Sequence, residues 1–173
     1  MRGTAAEYEI RPAVLESCRS EELIRTAQRI GVESHCCIVC LDADYLAGIR
    51  HVESAVCHAM RAWREETAIA DSLEMEVLLY AGGTRQTNVG RHFGVRPDTR
   101  NLYLCFIPAS VEAVTGMEHC VRYTEDPCLE LTEERLQRLA TLFGISRAEC
   151  DAVGRNRFPD LVIERVALLD VLK

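Results

Sequence analysis

Along these 173 residues the spacing of apolar positions changes several times, and each change predicts an element. Glu7 to Ile10 reads as a short strand before Pro12. Ser20 then opens a helix as its N-cap, with an acidic first turn, Glu21-Glu22, and the helix buries Leu23, Ala27 and Ile30 and closes at Gly31. Cys36 to Leu41 is a continuous apolar run of strand length. After it, Asp42 to Asp44 caps a long helix in which Leu46, Ile49, Val52, Val56, Ala59 and Trp63 fall at helical spacing. Leu73, Met75, Val77 and Leu79 alternate with Glu74, Glu76, Leu78 and Tyr80, the period of two of a half-covered strand.

A turn, Ala81-Gly82-Gly83-Thr84, leads into a short helix from Arg85 to Phe93, for which Gly94 supplies a left-handed stop. Asn101 to Ile107 is a further apolar strand, ended by Pro108, and Ser110 starts a helix reaching about Met117. Beyond Pro127 the pattern is helical. Thr132 caps a helix to Phe143 that turns Leu136, Leu139, Ala140 and Phe143 inward; Gly144 ends it. Ser146 begins a short helix to about Val153, and a last helix runs from about Pro159 to Leu172. With no repeat, linker or low-complexity tract, the pattern predicts one α/β domain over residues 1–173, α+β being the variant, with a small mixed sheet of about four strands packed by helices.

Charge narrows the functional classes. Twenty basic against 27 acidic residues give a net charge of −7, which disfavours bulk electrostatic coating of nucleic acid or membrane. Any nucleic-acid contact must be local. No stretch approaches the ~18 apolar residues of a membrane span, and no apolar run precedes Glu7. The expected setting is soluble and cytoplasmic, without membrane association. One segment departs from the acidic average: residues 85–100 hold Arg85, Arg91, Arg96 and Arg100 against Asp98 alone. Such a basic island, with His92, Phe93 and Asn101 beside it, suits phosphates and unpaired bases, and it equally suits a solvated helix face.

The short motifs point away from catalysis. The Gly82-Gly83 turn lacks the phosphate-loop and dinucleotide spacings, leaving either a weak phosphate site or a surface turn. Nine cysteines include Cys37-Ile38-Val39-Cys40, a Cys-x-x-Cys pattern next to His35 and Cys36. Ile38 and Val39 favour a strand, which puts Cys37 and Cys40 on opposite faces and argues for reduced core thiols over a zinc or redox pair. His51 and His58, two turns apart on one helix, read as core or rim packing. No nucleophile, zincin or kinase signature occurs, so neither a metal, a cofactor nor an enzymatic activity is expected.

The segment Glu76-Val77-Leu78-Leu79-Tyr80-Ala81-Gly82-Gly83-Thr84-Arg85-Gln86-Thr87 through Phe93-Gly94-Val95, with the strand to Ile107, resembles the central block of the PRPK-binding protein family, the small subunit of the KEOPS complex. The likeness is to its archaeal members. The helix His51 to Ala62 and the closing Val166-Ala167-Leu168-Leu169-Asp170-Val171-Leu172 extend it. Two positions depart: Thr87 stands where Ile is usual after Arg-Gln, and Gly90 where Ala is common, with Phe93 placed to take over their packing.

The resemblance implies a non-catalytic subunit that docks on and stimulates the complex's small atypical kinase. It further implies assembly with the catalytic threonylcarbamoyltransferase subunit and capture of the tRNA 3′ CCA end for threonylcarbamoyl-adenosine formation. It assigns RNA contact to Arg85, Gln86, Arg91, His92 and Arg96, and kinase contact to Leu168, Leu169, Val171 and Leu172. Two other classes fit parts of the chain: a small-ligand or nucleotide-binding regulatory domain for the glycine turn, and a thiol or metal protein for the cysteines.

Overall fold

The structure, a computed structural model, describes residues 7–125 and 131–171. Strand β1 (Glu9–Leu15) leads to helix α1 (Ser20–Glu33) and strand β2 (Cys37–Asp42). Helices α2 (Ile49–Arg64), α3 (Leu73–Ala81) and the short α4 (Thr87–Gly90) follow. Strand β3 (Asn101–Ile107), helix α5 (Val111–Met117) and strand β4 (Val121–Tyr123) come next, then α6 (Glu133–Leu142), α7 (Arg147–Val153) and α8 (Phe158–Val171). The fold class is α/β, as the pattern indicated. Two compact units result, Met1–Asp42 with Val95–Pro127 and Ala43–Gly94 with Cys128–Lys173.

The first unit holds the sheet, in the order β2-β3-β1-β4 and antiparallel throughout, where a mixed sheet was expected. Its register sets Glu9 opposite Phe106 and Cys37 opposite Ile107. Strand β1 continues through Pro12, where the apolar pattern had suggested a stop. The Pro12 carbonyl accepts from the Thr124 N–H beyond the end of β4. Its ring nitrogen faces the same way, past the end of β4, so no bond to β3 is lost. Leu23, Ala27 and Ile30 of α1 pack with Ile38, Leu102, Leu104, Phe106, Ala113 and Met117 into one apolar cluster.

In the second unit the largest departure is α3. The run read as a strand is a helix, capped by Ser72, whose Oγ accepts from the Met75 N–H at 3.3 Å. Glu76 folds back so that its Oε2 accepts from the N–H groups of Ile69 and Ala70 at 2.9 and 2.8 Å. Since Val77, Leu79, Tyr80, Ala81 and Glu76 itself are all buried, no polar stripe marks a helical period. Glu74 and Glu76 then supply a false alternation.

Smaller corrections concern ends. Helix α2 begins at Ile49 after Gly48, whose φ is 98°, and not at Asp42 to Asp44, which end β2 and enter a 3-10 turn. Ser20 is the first residue of α1 and not its cap; its Oγ donates to the Arg96 carbonyl. Gly94 is extended, with φ −79° and ψ 175°. Trp63 is 41% exposed while Ala62 is buried, because α2 presents a stripe of small residues, Ala55, Ala59 and Ala62, to the unit's interior.

Replacing Ser72 by Ala removes the cap of α3 and is expected to cost about 1 kcal/mol. Urea unfolding should show a lower midpoint with an unchanged slope. An unchanged midpoint would contradict the assigned helix start.

Candidate functional site

The second unit is organised around a buried histidine. His51 Nδ1 accepts the Ala47 N–H at 3.1 Å, and its Nε2–H donates to the Ala81 carbonyl at 2.8 Å. Both ring nitrogens are thereby used and the Nε2–H tautomer is set. Burial pushes the imidazole pKa down to about 4, which the bond to Ala81 opposes only in part. The bridge joins the entry of α2 to the last residue of α3, where the glycine turn begins.

That turn is seated closely. A Cβ on Gly82 would lie 2.8 Å from the Phe93 ring, and one on Gly83, at φ 56°, would lie 3.4 Å from the Arg165 carbonyl of α8. The N–H groups of Gly82, Gly83 and Thr84 bond to the carbonyls of Leu78, Tyr80 and Leu79. These amides close α3 and are not directed to an anion, so ligand contact at the turn falls to side chains. Phe93 is buried against Phe143 and Tyr45 with ring centroids 5.9 and 6.2 Å apart. Gly90 is buried too, where a Cβ would sit 3.0 Å from Leu79 Cδ2. Gly90, one of the two positions that depart from the family pattern, thus lets α4 approach α3 closely.

Beyond the turn, Arg85, Gln86, Arg91 and His92 are exposed on one short segment of this unit. Arg96 lies in the first unit. Its guanidinium pairs with buried Asp42 at 3.3 Å and its backbone N–H donates to Thr99 Oγ1, which in turn donates to Asp42. Of the five residues assigned to RNA, four share an exposed segment and Arg96 braces a loop.

At the end of α8, Leu168 and Val171, three residues apart on one face, are 41% and 76% exposed, while Leu169 is buried. Leu172 lies outside the described residues. Between them Asp170 accepts from the Tyr80 hydroxyl at 2.5 Å, from His58 Nδ1 at 2.6 Å and from Arg61. Burial alone would raise this carboxyl; the three donors outweigh it and hold its pKa well below the usual carboxylate range. The sequence reading did not single out Asp170, although a lone charge within Val166 to Leu172 is the signal that could have found it.

Cys37 and Cys40 lie on strand β2, Cys40 on the face of Ile38 and the apolar cluster. Among the described residues no cysteine is in a disulfide, and burial pushes the Cys40 thiol up to about 12. Among the described residues no group of three or more His, Cys, Asp or Glu is placed to hold a metal, and no helix is long and apolar enough to cross a membrane.

The second unit thus presents an exposed apolar helix end and, separately, an exposed segment bearing Arg85, Arg91 and His92. Residues 15–170 match the family described as kinase binding protein CGI-121, and the chain belongs to that family, the KEOPS/PRPK-binding family it resembles. No curated protein matches the chain.

The His51 bridge has a pH signature. The folded state keeps the ring neutral to about pH 4, whereas the unfolded chain takes up a proton near 6.5. Its stabilisation is therefore complete above pH 6.5 and falls as pH drops toward 4, by roughly 2 kcal/mol between pH 7 and 5. His51→Asn should be less stable at pH 7 and show a flatter pH dependence in denaturant titrations over that window. Parallel profiles for the two proteins would contradict the buried neutral ring.

Proposed function

We propose that this chain is the non-catalytic kinase-binding subunit of a KEOPS-type complex, docking on and stimulating the small kinase and helping to hold the tRNA 3′ CCA end. The observation that carries the docking reading is the exposed pair Leu168 and Val171 on a helix whose Phe158, Leu161, Val162, Val166 and Leu169 are buried. Exposed apolar side chains beside buried ones on a well-packed helix are the raw material of an interface core. Family membership supplies the class of partner.

The RNA reading rests on Arg85, Gln86, Arg91 and His92, exposed together on a chain that is otherwise acidic. Arginine offers a phosphate a bidentate donor set and an unpaired base a planar stacking partner. The rest of the chain repels a polyanion, so contact stays local and few phosphates are engaged. The absent catalytic signatures fit a subunit that brings kinase and RNA together while others perform the chemistry.

Leu168→Glu and Val171→Glu each replace an exposed side chain, so melting temperatures should hardly change. Affinity for the small kinase of the same genome should fall at least tenfold, about 1.4 kcal/mol or more. Titration calorimetry reads this directly, and wild-type affinity in both variants would place the kinase interface elsewhere.

For RNA, the wild-type protein should bind full-length tRNA more tightly than tRNA trimmed of its 3′ end. The slope of log affinity against log salt should be roughly −1.4 to −2.1, and Arg85→Ala should flatten it by ~0.7. Equal binding of the two RNAs would remove the 3′-end assignment. Undiminished binding by Arg85→Ala would remove that arginine from it.

A further inference from the structure

Asp170 stands where local physics disfavours it. It occupies the last turn of α8, a helix with no basic residue in that turn, and a carboxylate there opposes the partial negative charge of the helix C-terminus. Aspartate is also a poor helix former. A residue that works against its own helix points to a role outside it.

The surroundings supply that role. Asp170 is held from two other helices: His58 Nδ1 at 2.6 Å and Arg61 come from α2, and the Tyr80 hydroxyl comes from α3. The His58 and Tyr80 rings stack with centroids 5.5 Å apart and planes inclined by 23°, which fixes both donors. Tyr80 is fully buried and lies two residues before the Gly82-Gly83 turn. Among the described residues of the final turn of α8, Leu168 and Val171 face water and Leu169 is buried.

We propose that Asp170 is a positioning residue: tethered to Tyr80, His58 and Arg61, it fixes the last turn of α8 so that Leu168 and Val171 are presented to the kinase in one orientation. This rests on the docking reading above and adds its mechanism. Pre-ordering the turn removes an entropic cost that binding would otherwise meet. Loss of the tether lets the turn fray while the rest of α8, with Leu161, Val162 and Val166 buried, keeps its place.

The test uses Asp170→Asn, which keeps the shape and a carbonyl acceptor for Tyr80 but loses the charge, and Tyr80→Phe, which removes a single hydroxyl. Three measurements are made on the full chain: amide hydrogen exchange, kinase affinity, and a double-mutant cycle of Asp170→Asn with Val171→Ala. Exchange should accelerate in residues 168–171 and not in α2 or α3. Kinase affinity should fall about tenfold for Asp170→Asn and about threefold for Tyr80→Phe. In the Asp170→Asn background Val171→Ala should cost much less than in wild type, because the side chain is no longer presented.

Unchanged exchange at 168–171 in both variants overturns the tether. Faster exchange with unchanged affinity, or strictly additive losses in the cycle, overturns the positioning role, since a general loss of stability lowers the folded fraction without coupling these two residues. If Leu168→Glu and Val171→Glu bind normally while Asp170→Asn frees the turn, the docking reading fails and the tether stands.

Discussion

The second unit depends on one neutral imidazole. His51 joins an N–H before α2 to the carbonyl that ends α3, and both groups would otherwise be buried without partners. Leaving either unpaired costs about 1–3 kcal/mol, so the ring holds the end of α3 to the start of α2 within hydrogen-bond tolerance. Everything after Ala81 inherits that placement. Gly82 meets Phe93, Gly83 meets the backbone of α8, and the exposed segment of Arg85 to His92 leaves the unit from a point that is already fixed.

Helix α8 is tied into the same framework at both ends. Arg50 of α2 pairs with Asp160 near its start, and Arg61 and His58 pair with Asp170 near its end, so α2 and α8 run in the same direction. Arg165 bonds to Glu149, whose carboxyl is held down to about pKa 2 chiefly by the Ser146 backbone N–H of the α7 capping box and then by Arg165. The exposed Arg50–Asp160 pair adds little stability by itself. The part-buried Asp170 cluster is a different case, because a carboxylate removed from water needs its donors. On the proposed reading, the tether that presents the kinase anchor runs through Tyr80 into α3, the helix that leads by way of the glycine turn to the RNA segment.

What could be read from the chain divides along physical lines. Helices with one buried stripe and a clear cap were legible: Ser110, Thr132 and Ser146 all cap where expected, and β2 and β3 showed as apolar runs. Helix α3 was not, since burial on nearly every side erases the helical period and two glutamates imitate a strand. Strand β4, three residues long, is too short to announce itself, so the strand count came out right only because it replaced the misread segment. Of the site, the exposed arginines were visible as a local reversal of charge. The tether was not, because His58, Tyr80 and Asp170 are far apart in sequence and come together only through packing. Arg96 shows the reverse error: it belongs to the basic run by sequence, yet its guanidinium is engaged by Asp42.

On the proposed reading, kinase and RNA meet different surfaces of this chain and can be held at the same time. The most direct measurement saturates the protein with its small kinase and then titrates a short single-stranded RNA ending in CCA, following the labelled RNA by fluorescence anisotropy and the assembly by light scattering. The expected result is a ternary complex whose scattering mass is that of all three components, with RNA binding weakened by Arg85→Ala while the kinase stays bound. Release of RNA in proportion to added kinase, with no ternary species at any ratio, would contradict it.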